Sequence, residues 1–212
     1  MMGKDGKLLL ERAHSRFKMF LVISVATLIF MAVDFVLIRE VMRSVSRGRT
    51  DFTLAGLVCI FGLIALVLVG VMIHRLLGLF NPSPSLALMQ RQLVLGGEMD
   101  LQWRLRGRAE KLSHMTITLV GQETATYRSG TTNAMSTEVF LAVVLMDSTD
   151  PREMKRGGLR LQIPAHTMHS FASAHNTVDW SLNVKGKIPR WPDIDDDFPI
   201  LIEAPAAEVH RG

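Results

Sequence analysis

Thr53-Leu-Ala-Gly-Leu-Val-Cys-Ile-Phe-Gly-Leu-Ile-Ala-Leu-Val-Leu-Val-Gly-Val-Met-Ile73 is a run of 21 residues without one charge. It has a counterpart upstream, Met19 to Ile38, which only Asp34 interrupts. A helix rising about 1.5 Å per residue needs about 20 residues to cross a hydrocarbon core of about 30 Å, and each run reaches that length. Two such helices buried in a soluble core would need far more surrounding protein than 212 residues supply. A basic leader (Lys4, Lys7, Arg12, Arg16, Lys18) precedes the first run, as in a signal peptide. The apolar stretch is too long for one, and no A-x-A-like cleavage site follows, so we read it as an uncleaved anchor. The expectation is a two-helix transmembrane hairpin over residues 19–80, behind a basic N-terminal tail over 1–18.

Outward from the second run the pattern changes at Asn81-Pro-Ser-Pro84, a helix-stopping, extended connector assigned to a linker over 81–85. Beyond it, apolar residues alternate with polar ones in short segments. These are Leu86 with Leu88, Leu93 to Leu95, Leu101 with Trp103 and Leu105, and Met115 with Ile117 and Leu119. Val139 to Leu145, Leu159 to Ile163, Val178 to Val184 and Phe198 to Ile202 follow. Gly96-Gly97, Ser129-Gly130, Gly157-Gly158 and Pro192-Asp193 read as the turns between them. Many short strands with no convincing helix predict an all-β domain over 86–203, a β-sandwich, with a C-terminal tail over 204–212.

The order of these motifs resembles the arrestin-like (immunoglobulin-like) sandwich. A first strand passes through Gly96-Gly97-Glu98 into Leu101-Gln-Trp103-Arg-Leu105-Arg-Gly107. Ile117-Thr-Leu119-Val-Gly121 runs on to Tyr127, and Phe140 and Leu161-Gln-Ile163-Pro164 come next. Ser170-Phe171 and Val178-Asp-Trp180-Ser-Leu182-Asn-Val184 follow, and Ile188-Pro-Arg-Trp191-Pro-Asp193 leads into Phe198-Pro-Ile200. The resemblance covers roughly Leu86 to Glu203 and looks most like bacterial membrane-anchored proteins of unknown function. It departs from eukaryotic arrestins in having one sandwich instead of two, so receptor-type phosphate sensing is not carried over. It implies a module that binds or scaffolds other proteins and is not an enzyme.

Hydrophobic residues make up 48% of the chain, its mean hydropathy is +0.23, its formal charge is +4 and its pI is about 9.6. The positive excess is local. Residues 1–80 carry 10 Lys/Arg against 5 Asp/Glu, and residues 81–212 carry 14 against 15. Charge gathered on membrane-flanking segments fits orientation and anionic headgroups, so the high pI gives no support for nucleic acid as a partner. Five Lys/Arg precede the first span, four (Arg39, Arg43, Arg47, Arg49) lie between the spans, and Arg75 and Arg91 follow. This balance favours both termini, and the β domain, on the cytoplasmic side of the cell inner membrane. The single cysteine, Cys59, lies inside the second span and rules out an intrachain disulfide.

Asp34 sits near the end of the first span, where an ionisable group is by default a functional candidate. The preferred reading is that it snorkels or pairs with Arg39 or Arg43. Ala55 and Cys59, with Gly56, Gly62 and Gly70 nearby, form a small-residue pattern that allows self-association of the second span. In the β domain, Arg104, Arg106 and Arg108 recur at spacing two, so on a strand they share the face opposite Leu101, Trp103 and Leu105. This basic stripe suits acidic headgroups or an acidic protein partner, and a solvated outer face accounts for it too. Trp191, beside two prolines, is the aromatic candidate for an interface.

His166, His169 and His175 with Asp179 lack the spacing of a zinc site, and Asp193, Asp195, Asp196 and Asp197 lack the EF-hand pattern. The acids read as a solvated turn, and neither a metal nor another cofactor is assigned. Ser170 has no nucleophile elbow around it, and no phosphate loop appears, so no catalytic residue is assigned. Function is expected to be that of a membrane-anchored interaction or scaffolding module. The alternative is an extracytoplasmic sensory domain for a ligand or cation.

Overall fold

A computed structural model describes residues 8–13, 15–48, 52–129 and 132–205. The chain divides into two compact units, His14–Phe80 and the combination of Met1–Ala13 with Asn81–Gly212.

The first unit is a pair of helices, α1 (Arg16–Ser46) and α2 (Phe52–Leu79), both long and apolar enough to cross a membrane. They extend beyond the apolar runs, to about 46 Å and 42 Å at 1.5 Å per residue. They pack antiparallel: the rings of Phe30 and Phe61 lie 5.9 Å apart, and Arg16 donates to the Gly78 carbonyl at 3.5 Å. Only Thr27 and Ala65 are buried within the described helices, so the chain itself leaves most of their apolar surface uncovered. The hydroxyls of Ser24 and Thr27 donate back to the carbonyls of Phe20 and Ile23, which satisfies them inside the apolar run. The pairing expected of Asp34 is not found. Arg43 bonds Glu40 at 3.2 Å, while Asp34 packs against Gly62, where an added Cβ would lie 3.4 Å from its Oδ2. Asp34 Oδ1 is buried with no hydrogen-bond partner among the described residues. Gly56 and Gly70 face open space, and Cys59 is exposed.

Among the described residues the second unit is all-β apart from two short turns of helix. One sheet runs β1 (Leu8–Leu9), β2 (Ser83–Leu88), β4 (Glu98–Arg106), β7 (Arg156–Gln162). The other runs β10 (Ile194–Ile200), β9 (Asn176–Lys187), β5 (His114–Ser129), β6 (Thr132–Ser148), with β8 (Phe171–Ala172) also on β9. All these pairings are antiparallel. The parallel pair β3 (Leu93–Val94) and β11 (Ile202–Glu203) completes the unit. Period-two alternation points Leu86, Met99, Leu101 and Trp103 from the first sheet, and Ile117, Leu119, Trp180, Leu182 and Phe198 from the second, into one core. The fold is therefore two long apolar helices followed by an antiparallel all-β sandwich.

Several boundaries differ from the sequence reading. Leu8–Ala13 is not a membrane-flanking tail. Leu8 and Leu9 pair with Leu88 and Ala87, the Leu10 amide donates to Leu86 O at 3.0 Å, and the Ala13 amide reaches Asp197 O at 2.8 Å. The segment thus joins an edge of each sheet. The linker over 81–85 is also part of the sandwich: Asn81, Pro82 and Pro84 are buried, and Asn81 Nδ2 donates to Pro192 O at 2.8 Å. Proline is tolerated at 84 because β1 does not extend that far, leaving β2 a strand on one side only. Of the C-terminal tail, residues 206–212 lie outside the described residues.

Strands β5 and β6 form a hairpin much longer than the two segments seen in the sequence, and Gly130 of its expected turn lies outside the described residues. Gly157-Gly158 is no turn; both residues lie within β7. A helix, α3 (Pro151–Lys155), stands where none was expected.

Candidate functional site

The basic stripe of the sequence reading survives in part. Arg104 and Arg106 project from the exposed face of β4, but the strand ends at Arg106. Gly107 turns the chain at φ +104, so Arg108 lies beyond the strand and outside the cleft described next. Trp191 sits on the turn between β9 and β10, 37% exposed, with Lys111 Nζ 5.7 Å from its ring centroid. Trp191 is not among the residues that line that cleft.

Arg104 and Arg106 instead meet three cations that the sequence reading did not select. Arg152 and Lys155 come from α3 and Arg156 from the first position of β7. With Leu105 and Gly107 these five line an open cleft of about 830 Å³ that has no lining carboxylate. The helix is fixed by ordinary local chemistry. Asp150 caps it, its Oδ1 accepting from the Arg152 amide at 2.8 Å, Pro151 occupies the first turn, and Met154 is fully buried. The acid on α3, Glu153, accepts a hydrogen bond from Ser148 Oγ at 2.6 Å, and its carbonyl accepts from Trp103 Nε1 at 2.9 Å.

Strand register brings the charges together. Arg104 and Arg156 are direct cross-strand partners, as are Asp100 and Arg160 farther along the same two strands. Arg160 lies 3.2 Å from Asp100 and 3.8 Å from Glu98, so that end is neutralised. At the other end two like charges stand opposite one another, an arrangement that destabilises a sheet. None of the five cleft cations has an ion pair among the described residues.

The remaining candidates are dispersed. No group of three or more His, Cys, Asp or Glu side chains is placed to hold a metal among the described residues. The acids of 193–197 are not one solvated turn, because residues 194–200 form β10. Asp193 Oδ1 accepts from the Ile188 amide, and Asp195 and Asp197 accept from Asn183 Nδ2 at 3.1 and 2.7 Å. Asp196 points inward and is buried, with Arg12 Nε 3.6 Å from its Oδ2. Arg12 also donates to Ser83 Oγ and, at 3.2 Å, to Pro84 O. His166, His169 and His175 are exposed in the segment between β7 and β9. Ser170 is structural: its Oγ accepts from the Ile202 amide at 2.9 Å, and its own amide donates to Ile202 O at 2.8 Å.

No protein-family model and no curated protein matches the chain. Among solved structures, Spo0M, a sporulation control protein from Bacillus subtilis, is similar at 12% identity with a TM-score of 0.41. The match covers 58% of this chain and 50% of that one, so the chain spans about half the length of that structure.

Proposed function

We propose that the protein is a membrane-anchored interaction module, lying on the cytoplasmic side of the cell inner membrane, whose sandwich takes up an extended segment of a partner protein. The observation that carries this is β6, a strand of 17 residues that pairs only with β5 among the described residues. Most strands are about 5–6 residues long, and natural edges are kept short or charged because an open edge recruits further strands. Here the edge is long, and Met135, Val139 and Val144 on it are 71%, 54% and 59% exposed. Open backbone groups offer main-chain hydrogen bonds, and the exposed apolar side chains offer contacts that select among sequences.

A photo-crosslinking residue at position 139 of the full chain in native membranes is expected to give a discrete covalent adduct. The same residue at Lys185, on the exposed face of β9, is expected to give none. Val144→Lys should cut the adduct at least about tenfold, since charge on an edge blocks strand addition, while changing stability by only about 0.5 kcal/mol. Equal adducts at 139 and 185, or an adduct indifferent to Val144→Lys, would overturn the proposal.

Sidedness has its own measurement. Fusions placed after Gly212 should give fluorescence from a protein that matures only inside the cell, and no activity from a phosphatase that works only outside it. The opposite result would move the sandwich outside and favour a sensory domain for an extracellular solute.

A further inference from the structure

We infer that the cleft formed by Arg104, Arg106, Arg152, Lys155 and Arg156 binds the phosphate of an anionic phospholipid headgroup. This rests on the reading of α1 and α2 as membrane spans and is independent of the strand-addition edge. Three features carry it. The first is uncompensated charge: five cations line one cleft without a carboxylate, and Arg104 faces Arg156 across the β4–β7 register. Elsewhere on the same pair of strands Arg160 is neutralised by Asp100 and Glu98, so the sequence balances charge at one end and leaves it open at the other. A bound dianion or monoanion supplies the missing counter-charge, and four of the five groups are guanidinium forks suited to phosphate oxygens.

The second feature is preorganisation. Glu153, the one acid on α3, is held by Ser148 Oγ, and Trp103 Nε1 holds the carbonyl of the same residue, so the helix presents Arg152 and Lys155 without a competing internal anion. Groups fixed beforehand lose less freedom when the ligand arrives. The third is the tether. Three residues separate Leu79, the end of α2, from Ser83, and Ser83 and Ser85 pair with Arg106 and Arg104. Fully stretched, the four Cα–Cα steps from Leu79 to Ser83 reach about 14 Å. Headgroups of the bilayer that α2 crosses are therefore the phosphates at highest local concentration, and this selects the lipid over free phosphate as the source.

The test uses the full chain purified in a neutral detergent. Binding of dioctanoyl phosphatidylglycerol, dioctanoyl phosphatidylcholine and inorganic pyrophosphate is titrated and followed by native mass spectrometry. Saturable binding of the phosphatidylglycerol is expected, at least about tenfold tighter than that of the zwitterionic lipid and of pyrophosphate, and weakening as salt is raised. Arg104→Gln with Arg156→Gln should reduce it at least about tenfold. Arg106→Glu with Lys155→Glu, both exposed, should do the same if the first pair perturbs the strands. Lys185→Gln with Lys187→Gln removes equal charge from β9 and should leave binding unchanged. Pyrophosphate binding tighter than the lipid would overturn the lipid assignment. So would absence of binding, or equal losses in the cleft and β9 variants.

Discussion

Arg12→Ala is expected to destabilise the sandwich by about 2–3 kcal/mol, with a fall in melting temperature of roughly 8 °C, although residue 12 lies ahead of the first span. The guanidinium reaches acceptors on both sheets, among them the Asp196 carboxylate on β10, and Ser83 Oγ and the Pro84 carbonyl on β2. The Asp196 side chain is 3% exposed. Taking the neighbouring cation from so buried a carboxylate leaves its desolvation cost in place while removing an attraction that offset it. The estimate sits below the usual cost of breaking a buried pair because Arg12 is itself 24% exposed and water can replace part of the contact. Leu8 and Leu9 add only two residues of pairing to β2, so loss of the arginine should also loosen β1. Near-ultraviolet circular dichroism of the full chain in detergent, dominated by Trp103, Trp180 and Trp191, is the measurement. Arg12→Lys should recover part of the loss by restoring charge without the fork. A melting temperature for Arg12→Ala within 1–2 °C of the parent would show that the ion pair contributes at most about 0.5 kcal/mol.

The helices were legible because span length is an absolute physical scale, and the strands because one face of each is buried. Where no face is buried the signal disappears. The outer part of β6, from Met135 to Glu138, adds no residue to the buried core, so nothing in that stretch marks a strand ahead of Val139. Helix α3 spans five residues, less than two turns, too few to display a 3.6-residue period. Its start was nevertheless written in Asp150-Pro151, an N-cap followed by proline, and that signal could have found it. Sequence alone places Leu8–Ala13 on the membrane flank, because Arg12 belongs to the basic cluster ahead of the first apolar run. What makes it a strand is pairing with residues almost eighty positions later, which no local pattern encodes.

The cleft was half legible. Spacing two placed Arg104 and Arg106 on one face of a strand, and the exposed alternation of β4 agrees. Arg152, Lys155 and Arg156 join them only through the register that sets Arg104 against Arg156. Register depends on which hydrophobic residues face the core across two strands, and so on tertiary structure. The aspartates illustrate the same limit. In Ile194-Asp-Asp-Asp-Phe198-Pro-Ile200 the inward positions are Ile194, Asp196, Phe198 and Ile200. One acid in that register hides a strand, because the arginine beside it comes from the other end of the chain.

Gly157→Ala is expected to cost about 3 kcal/mol and, without altering any charge, to weaken anionic lipid binding at the cleft. An added Cβ would fall 2.2 Å from Trp103 Cζ2, 2.7 Å from Cε2 and 2.9 Å from Cη2, so the ring or β7 must move. The ring cannot rotate away freely: Trp103 is 8% exposed within the core, and its Nε1 donates to Glu153 O. Displacing it breaks that bond and releases α3, which carries Arg152 and Lys155. Trp103→Phe removes the part of the ring that the new methyl would strike, but it also removes the N–H. Paired with Gly157→Ala it should therefore be less destabilising than the sum of the two single changes, a coupling expected of groups in contact. Lipid binding should stay reduced in the pair, because α3 still lacks its bond from residue 103. Thermal melts of the four proteins, with the phosphatidylglycerol titration on each, separate the contributions. Strict additivity would mean that the ring does not occupy the space above Gly157. Full recovery of binding in the double variant would mean that the indole bond does not position the helix.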